Sequence, residues 1–172
     1  MKFKLPQMKH KQMFEDYKNE AYDHHEMFIN GDGGCSRSSN YEEWLISDQN
    51  FREEHNIPEG YVGGTTYFVV DNEQIVGTLN IRHALNDALL KCGGHVGYSV
   101  SVSKRRQGIA TEMLKFAIKK CHEMGIEDIL VTCHKENIAS RKTIEKCGGI
   151  LENEIMNNGE TILRFWIKGE DK

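Results

Sequence analysis

The N-terminal third of the chain contains two stretches with helical spacing of apolar residues and a break between them. Between Met8 and Phe28, apolar and aromatic residues recur at helical spacing among charged ones, which predicts an amphipathic helix. The glycine-rich segment 30–34 predicts a loop. A second helix is predicted to begin at Asn40, whose side chain suits a helix N-cap, and to run through Phe51.

The spacing changes to that of β-strands after residue 64. Residues 65–70 are β-branched and aromatic, and residues 74–82 follow an Asp-Asn-Glu turn, so these two segments predict an antiparallel pair. Residues 95–102 predict a third strand. The intervening segment 85–92 has no clear periodicity, and the pattern predicts only a connector there.

The second half of the chain alternates helices and strands. A long amphipathic helix is predicted over residues 108–124, with lysines on its outer face and Gly125 as its left-handed C-cap. The wholly apolar segment 129–133 predicts a short strand buried on both faces. The last predicted elements are a helix over 137–147 and a hairpin of strands 150–156 and 161–167.

This order of elements predicts one α/β domain over residues 1–172, with a central mixed sheet of about six to seven strands and about four flanking helices. The strand–helix–strand unit in the middle implies a right-handed crossover and local parallel pairing. The hairpins imply antiparallel pairing elsewhere. Phe165 and Trp166 in the last strand fit either the core or the edge of a homodimer.

Composition narrows the function classes. A net charge of -4 over 172 residues argues against a general binder of nucleic acid or anionic membranes. No apolar run approaches the roughly 20 residues of a membrane span, and no apolar segment follows the basic N-terminal residues as in a secretory signal. The five cysteines form no C-x-x-C pair, so we expect reduced thiols in a cytoplasmic protein and no metal.

The junction between the third strand and the long helix is the segment with the clearest chemical meaning. A basic turn containing Arg105 and Arg106 leads into Gly108, which opens the helix. A helix N-terminus offers free N–H groups and the positive end of the macrodipole, which suits a phosphate or diphosphate. Gly108 removes a side chain that would keep an anion from the backbone. An exposed basic turn before a surface helix is the alternative interpretation of these residues alone.

With this junction, the chain from about Tyr67 to Trp166 resembles the GNAT superfamily of N-acetyltransferases. Residues 105–110 look like that family's pyrophosphate loop, R/Q-x-x-G-x-G/A, and we use that name for them below. Residues 137–140 followed by 145–149 look like its N-x-x-S helix ending in E-K-x-G-F. The sequence around these motifs is most similar to a subgroup of the family that is described only as predicted acetyltransferases.

The resemblance implies acetyl-CoA as co-substrate and a primary amine, of a small molecule or a protein, as acceptor. Main-chain groups near Val100 and Val102 would pair with the pantetheine arm. Amides of the loop and the first helical turn would hold the diphosphate, and Asn137 and Ser140 would line the other side. Asn137 is also read as a helix N-cap, and the two roles are compatible. The implied loop ligands are Arg105, Arg106, Gln107, Gly108, Ile109, Ala110 and Thr111.

The family's usual proton donor is a tyrosine just before the E-K pair, but Ile144 stands there in this chain. Tyr98 on the cofactor strand and His134 after the buried strand are the candidate catalytic substitutes. Ordinary packing is the competing explanation for both. Arg82 and His95 are candidates for contacting the acceptor, Arg82 through a substrate carboxylate or, equally, as part of a structural ion pair.

Ile144 keeps a second class of function open. Without the usual tyrosine, the chain is either an N-acetyltransferase with another proton donor or a catalytically idle acyl-CoA-binding module. A nucleotide-binding domain of another kind is disfavoured, because the chain contains neither G-x-x-x-x-G-K-[ST] nor G-x-G-x-x-G.

Overall fold

The structure is a computed structural model that describes residues 1–169. Within these residues, seven strands form two antiparallel sheets. The larger sheet has the order β1-β2-β3-β4, with β1 Lys2–Lys4, β2 Gly64–Asp71, β3 Gln74–Arg82 and β4 Val96–Val100. The smaller sheet has the order β5-β7-β6, with β5 Ile129–His134, β6 Ile150–Asn157 and β7 Glu160–Ile167.

Four α-helices in the described part of the chain cover these sheets. They are α1 Lys11–Asp23, α2 Tyr41–Glu53, α3 Ile109–Glu123 and α4 Ile138–Lys146. Helices α1 and α2 pack on the larger sheet through a stack in which the ring of Phe68 lies 5.3 Å from Phe14 and 5.9 Å from Trp44. A separate core joins α3 and α4 to strands of both sheets. None of the helices within residues 1–169 has the length and apolar character needed to cross a bilayer.

The predicted mixed α/β architecture is confirmed, and so are its local signals. Asn40 caps α2 by accepting hydrogen bonds from the N–H groups of Glu42 and Glu43. Gly125 adopts the left-handed conformation after α3, with φ of +79°. Phe165 is fully buried, because β7 is the central strand of the smaller sheet and its side chain enters the core.

Several boundaries differ from the prediction. Helix α1 ends at Asp23, since His24 closes its last turn and Met27 and Phe28 are exposed. The third predicted strand ends at Val100, because the chain turns into a 3-10 helix over Val102–Lys104. Strand β1 was not predicted, and the connector contains a π-helical turn, Leu89–Gly93.

The predicted parallel pairing in the middle of the sheet is wrong for the residues described: no ladder joins β4 to β5. Instead, the two sheets meet at one point. The N–H of His95 donates to the carbonyl of Leu130 at 2.7 Å, and the N–H of Leu130 donates to Nδ1 of His95 at 3.0 Å. The imidazole nitrogen thus takes the place of a main-chain acceptor, and the junction is complete without a continuing ladder.

Side chains from both sheets donate hydrogen bonds to the connector between β3 and β4, next to this junction. Arg82 of β3 donates through Nη1 to the carbonyls of Gly93 and Gly94, at 3.0 and 3.3 Å. From the smaller sheet, the hydroxyl of Thr132 donates to the carbonyl of Cys92 at 2.7 Å, and Arg164 donates to the carbonyl of Leu90. The relative position of the two sheets at this end is therefore fixed by side-chain bonds to one connector.

Replacing His95 tests whether the stability of the junction between the sheets depends on its imidazole. In His95→Leu the buried N–H of Leu130 loses its acceptor, so we expect the free energy of unfolding to fall by about 1–3 kcal/mol. His95→Asn places an oxygen at the position of Nδ1 and should lose less than half of that amount. Urea unfolding measures both variants. Equal losses in the two variants would show that only the volume of the ring matters.

The contact between His95 and Leu130 also predicts that the free energy of unfolding depends on pH. Burial, together with the nearby Arg82, lowers the pKa of His95, so the folded protein disfavours its protonated form. An unfolded histidine titrates near pH ~6.5. As the pH falls below that value the unfolded chain takes up more protons, so stability must decrease. We expect the stability of the wild type relative to His95→Asn to decline between pH 7 and pH 5 in urea unfolding, whereas a constant difference would contradict the assignment.

Candidate active site

Beyond His95 and Leu130, no ladder joins β4 to β5 in residues 1–169, and we call the space between these two strand edges the cleft. Ser101 donates its N–H to Val76 of β3, and His95 accepts from Arg82 of β3, so these residues of the β4 segment face the neighbouring strand. Because main-chain groups alternate along a strand, those of Tyr98 and Val100 point to the opposite edge. That edge faces the cleft, and it offers a row of donors and acceptors to an extended ligand.

The N-terminus of α3 lies at the end of this edge. Gly108 is the N-cap residue with φ of +81°, a left-handed conformation that L side chains rarely adopt, and no side chain caps the helix. The N–H groups of Ile109, Ala110 and Thr111 have no acceptor among the described residues. A Cβ built on Gly108 would meet nothing within 4 Å. The first turn therefore presents unpaired donors to open space.

The two arginines of the pyrophosphate loop have different surroundings. Arg105 donates through both terminal nitrogens to the carboxylate of Glu26, each at 2.6 Å, and through Nε to the carbonyl of Val100 at 3.2 Å. These bonds with Glu26 raise the pKa of Arg105. Arg106 is exposed, is held at φ of +62°, and has no ion pair with any carboxylate in residues 1–169. A non-glycine residue kept in this conformation is typical of functional loops.

Helix α4 forms the other wall. Asn137 is its N-cap, with its side-chain oxygen accepting the N–H of Ser140 at 3.1 Å. The hydroxyl of Tyr98 lies 3.0 Å from Oγ of Ser140, so this side chain spans from β4 to α4. Burial raises the pKa of Tyr98 to about 12, partly offset by the bond to Ser140. The phenol therefore keeps its proton at neutral pH.

Ile144, in the position of the family tyrosine, is fully buried in the core shared by α3, α4 and both sheets. A Cβ on Gly149 would collide with Cγ2 of Ile144, so the chain after α4 passes directly against this residue. The side chain at this position is a core residue here and brings no polar group to the cleft.

His134 is placed at the end of β5 and is exposed. Its Nδ1 lies 3.4 Å from a carboxylate oxygen of Glu160 across the β5–β7 pair. The imidazole is therefore accessible to solvent, at the same end of β5 from which the chain enters α4. The main chain of His134 continues the edge of β5 that begins at Leu130.

The two residues expected to contact the acceptor both lie at the junction of the sheets. His95 is buried and uses Nδ1 for Leu130, which leaves its proton on Nε2. Arg82 has no carboxylate partner among residues 1–169, and burial lowers its pKa. One terminal nitrogen of Arg82 lies 3.2 Å from the position of a Cβ on Gly97, so the guanidinium packs against the main chain of β4.

Two carboxylates that contact this region could not be identified from the sequence. Glu20 of α1 and Glu26 after it contact the turn that precedes the pyrophosphate loop. Both lie about 80 residues away in the chain, and charged residues on an amphipathic helix look like any solvated face. Helical spacing alone could not distinguish them from their neighbours.

Comparison with known proteins agrees with this geometry. Residues 11–150 match the acetyltransferase (GNAT) domain family. A segment of 49 residues is 41% identical to GCN5-related N-acetyltransferase 6, chloroplastic, of Arabidopsis thaliana, and it covers 28% of this chain and 17% of that protein.

Solved structures show the same fold at low identity. The ribosomal-protein-S5-alanine acetyltransferase from Vibrio fischeri has a TM-score of 0.73 at 16% identity, with 98% of this chain and 93% of that chain covered. A ribosomal L7/L12 alpha-N-protein acetyltransferase in complex with coenzyme A has a TM-score of 0.69 at 15% identity, with 99% and 94% covered. Since the family match spans well over half of the sequence, the chain belongs to the acetyltransferase (GNAT) family.

Proposed function

We propose that the protein is an acetyl-CoA-dependent N-acetyltransferase that transfers the acetyl group directly to a primary amine in a ternary complex. The N-terminus of α3 is the observation that carries the proposal. Its unpaired N–H groups, the left-handed Gly108 and the adjacent edge of β4 form one continuous donor surface. A diphosphate with an extended arm is complementary to that surface.

The residues present fit acetyl-CoA. The amides from Gln107 to Thr111, with Arg106, would hold the diphosphate, and the main chain at Val100 of β4 and at Val102, which begins the following 3-10 helix, would pair with the pantetheine arm. Asn137 and Ser140 would line the opposite wall from α4. Arg105 would act through its bond to the Val100 carbonyl, since its terminal nitrogens are engaged by Glu26.

In the proposed reaction, the neutral amine attacks the thioester carbonyl, an N–C bond forms and the C–S bond breaks. A main-chain N–H near Val100 would stabilise the oxygen that gains negative charge. The departing thiolate would take the proton of the Tyr98 hydroxyl, which regains a proton from solvent. Alignment of both reactants in one cleft supplies a large part of the rate.

The amine must lose a proton, because a lysine-like amine has a pKa near ~10.4 and an α-amine near ~8. His134 is proposed as the acceptor of that proton through water, because it is exposed at the end of β5. Arg82 is proposed to contact an acceptor carboxylate, since it has no carboxylate partner among the described residues. His95 would contribute indirectly by fixing the junction beside it.

Proteins and small molecules are both open as acceptors. The two solved structures of similar fold are named for acetylation of ribosomal proteins, one of them at an alpha-amine. Ile144 supports the second candidate function, a catalytically idle acyl-CoA-binding module, because the family's usual donor is replaced by a core residue.

Two measurements test the proposal. Titration calorimetry with acetyl-CoA, desulfo-CoA and ATP should show binding of both CoA compounds and a clear preference over ATP. A panel of peptide N-termini, polyamines and aminoglycosides should then include an amine that raises free-thiol release above hydrolysis. Binding of neither CoA compound would overturn the family-based function. Binding without any productive amine would favour the idle module.

The glycine at the helix start provides a sharper prediction. Gly108→Glu should weaken acetyl-CoA binding at least about 100-fold, because a carboxylate would enter the space in front of the unpaired N–H groups and repel the diphosphate. Gly125→Glu is the matched control, since Gly125 ends the same helix with nearly the same φ, +79° against +81°, and also faces open space. Calorimetry on folded variants compares the two, and equal affinities would contradict the loop assignment.

The donor role of Tyr98 predicts a loss of turnover. Tyr98→Phe should lower kcat by about 100-fold while leaving acetyl-CoA affinity within about threefold. Tyr67→Phe is the control, because Tyr67 lies on the neighbouring part of the same sheet and touches Phe116 instead of the cleft. If both variants keep wild-type kcat, the thiolate leaves without Tyr98.

The raised pKa of Tyr98 also predicts how kcat/KM depends on pH. Burial brings that pKa to about 12, so the hydroxyl keeps its proton across the alkaline range. We expect kcat/KM to rise as the amine loses its proton and to show no decline up to about pH 10. A decline near the ordinary tyrosine value in the wild type, absent from Tyr98→Phe, would show that the hydroxyl is not buried during turnover.

A further inference from the structure

Two carboxylates of the α1 region contact the turn that joins β4 to the pyrophosphate loop. Glu20, near the end of α1, accepts the hydroxyl of Ser101 at 2.6 Å and the N–H of Ser103 at 2.7 Å. Burial alone would raise the pKa of Glu20, but the bonds from the two serines outweigh it and leave the pKa lowered. The charged form of Glu20 is therefore the form that these contacts stabilise.

Glu26 binds Arg105, the residue that follows this turn and begins the pyrophosphate loop. Its two oxygens accept from the two terminal nitrogens of Arg105, and Arg105 in turn donates Nε to the Val100 carbonyl. We call Glu20 and Glu26 together the acidic clamp. Paired hydrogen bonds between a guanidinium and a carboxylate fix both distance and orientation.

The acidic clamp restrains a turn that has few main-chain hydrogen bonds of its own. At the start of the turn, the N–H of Ser101 donates to the carbonyl of Val76 at 2.9 Å, and the later main-chain bonds are short-range, from Lys104 to Ser101 at 2.9 Å and from Arg105 to Val102 at 3.4 Å. Immediately beyond the turn, Arg106 and Gly108 adopt left-handed conformations that set the direction of the helix start. Beyond the Ser101 N–H, the contacts of the clamp are thus the long-range hydrogen bonds that restrain the segment leading to the α3 N–H groups.

We propose that Glu20 and Glu26 are positioning residues for the donor site, holding the pyrophosphate loop in the conformation that binds the diphosphate of acetyl-CoA. This inference rests on the proposed function. It extends the donor site beyond the loop motif to α1 and to the segment that follows it. Neither residue needs to touch the co-substrate.

The sign of the effect makes the proposal testable. Two carboxylates near a bound diphosphate repel it, so a purely electrostatic role predicts tighter binding when either charge is removed. A positioning role predicts weaker binding, because the loop must then be ordered at the expense of binding free energy. The two explanations give opposite changes in the dissociation constant.

The experiment compares Glu20→Gln, Glu26→Gln and Ser101→Ala with the wild type by calorimetry. The donors are acetyl-CoA and S-acetylpantetheine, which keeps the arm but lacks the diphosphate. We expect acetyl-CoA to bind about tenfold more weakly to each variant and S-acetylpantetheine to bind as in the wild type. Ser101→Ala removes a clamp contact without changing any charge, so it separates geometry from electrostatics.

Two control variants and one kinetic measurement complete the design. Glu15→Gln removes a carboxylate of α1 that pairs locally with Lys18 at 2.6 Å, and it should leave both affinities unchanged. Glu26→Asp keeps the charge and should recover most of the acetyl-CoA affinity. In turnover assays, the clamp variants should raise KM for acetyl-CoA with kcat within about twofold, a separation that general destabilisation would not produce.

Tighter or unchanged acetyl-CoA binding in the clamp variants would overturn the proposal. Equal weakening for both donors would also overturn it, because damage beyond the diphosphate site would then be the cause. If the wild type itself bound no acetyl-CoA, the proposed function would fail first. If the wild type binds and the variants bind equally well, only the role of the clamp fails.

Discussion

The pair of hydrogen bonds between His95 and Leu130 is the contact on which the cleft depends. If β4 and β5 formed a regular ladder, the main-chain groups of Val100 would be consumed by the neighbouring strand. The Nδ1 atom of His95 satisfies the buried N–H of Leu130 at the junction, so the strands part without leaving an unpaired donor there. The bonds of Arg82 and Thr132 to the connector hold this point from both sides. A structural histidine thus leaves a strand edge available for a ligand.

Local geometry, and not a surplus of positive charge, prepares the site for an anionic ligand. The chain carries a net charge of -4, and the charge of Arg105 is balanced by Glu26. In the proposed function, the attraction for a diphosphate would come from Arg106 and the unpaired N–H groups at the start of α3, where the backbone is left-handed at two positions. Such an attraction acts over short distances and would therefore depend on the exact position of the loop.

What could be predicted from the sequence was local. The cap at Asn40 and the C-cap at Gly125 follow from residue type and neighbouring spacing, and both are confirmed. Contacts between distant residues left no such trace. Strand β1 is only three residues long, too short for any period, and it is held in place by the ring of Phe3 stacked 3.9 Å from Phe116. The bond from Ser101 to Glu20, across 81 positions, was equally invisible.

The departure from the family pattern at Ile144 has a packing cause that extends along α4. The family helix ends in E-K-x-G-F, but this chain has Gly149 in place of the phenylalanine. A Cβ at position 149 would collide with Cγ2 of Ile144 and would lie 2.9 Å from the main-chain oxygen of the same residue, so this conformation requires glycine there. A tyrosine at 144 would have to displace a filled core. The nearest phenol in the cleft comes instead from β4, where Tyr98 reaches the same helix at Ser140, one turn before Ile144. In the proposed function, a proton donor on β4 would keep its position even if the packing of α4 changed, because β4 is held by β3 and by the junction at His95.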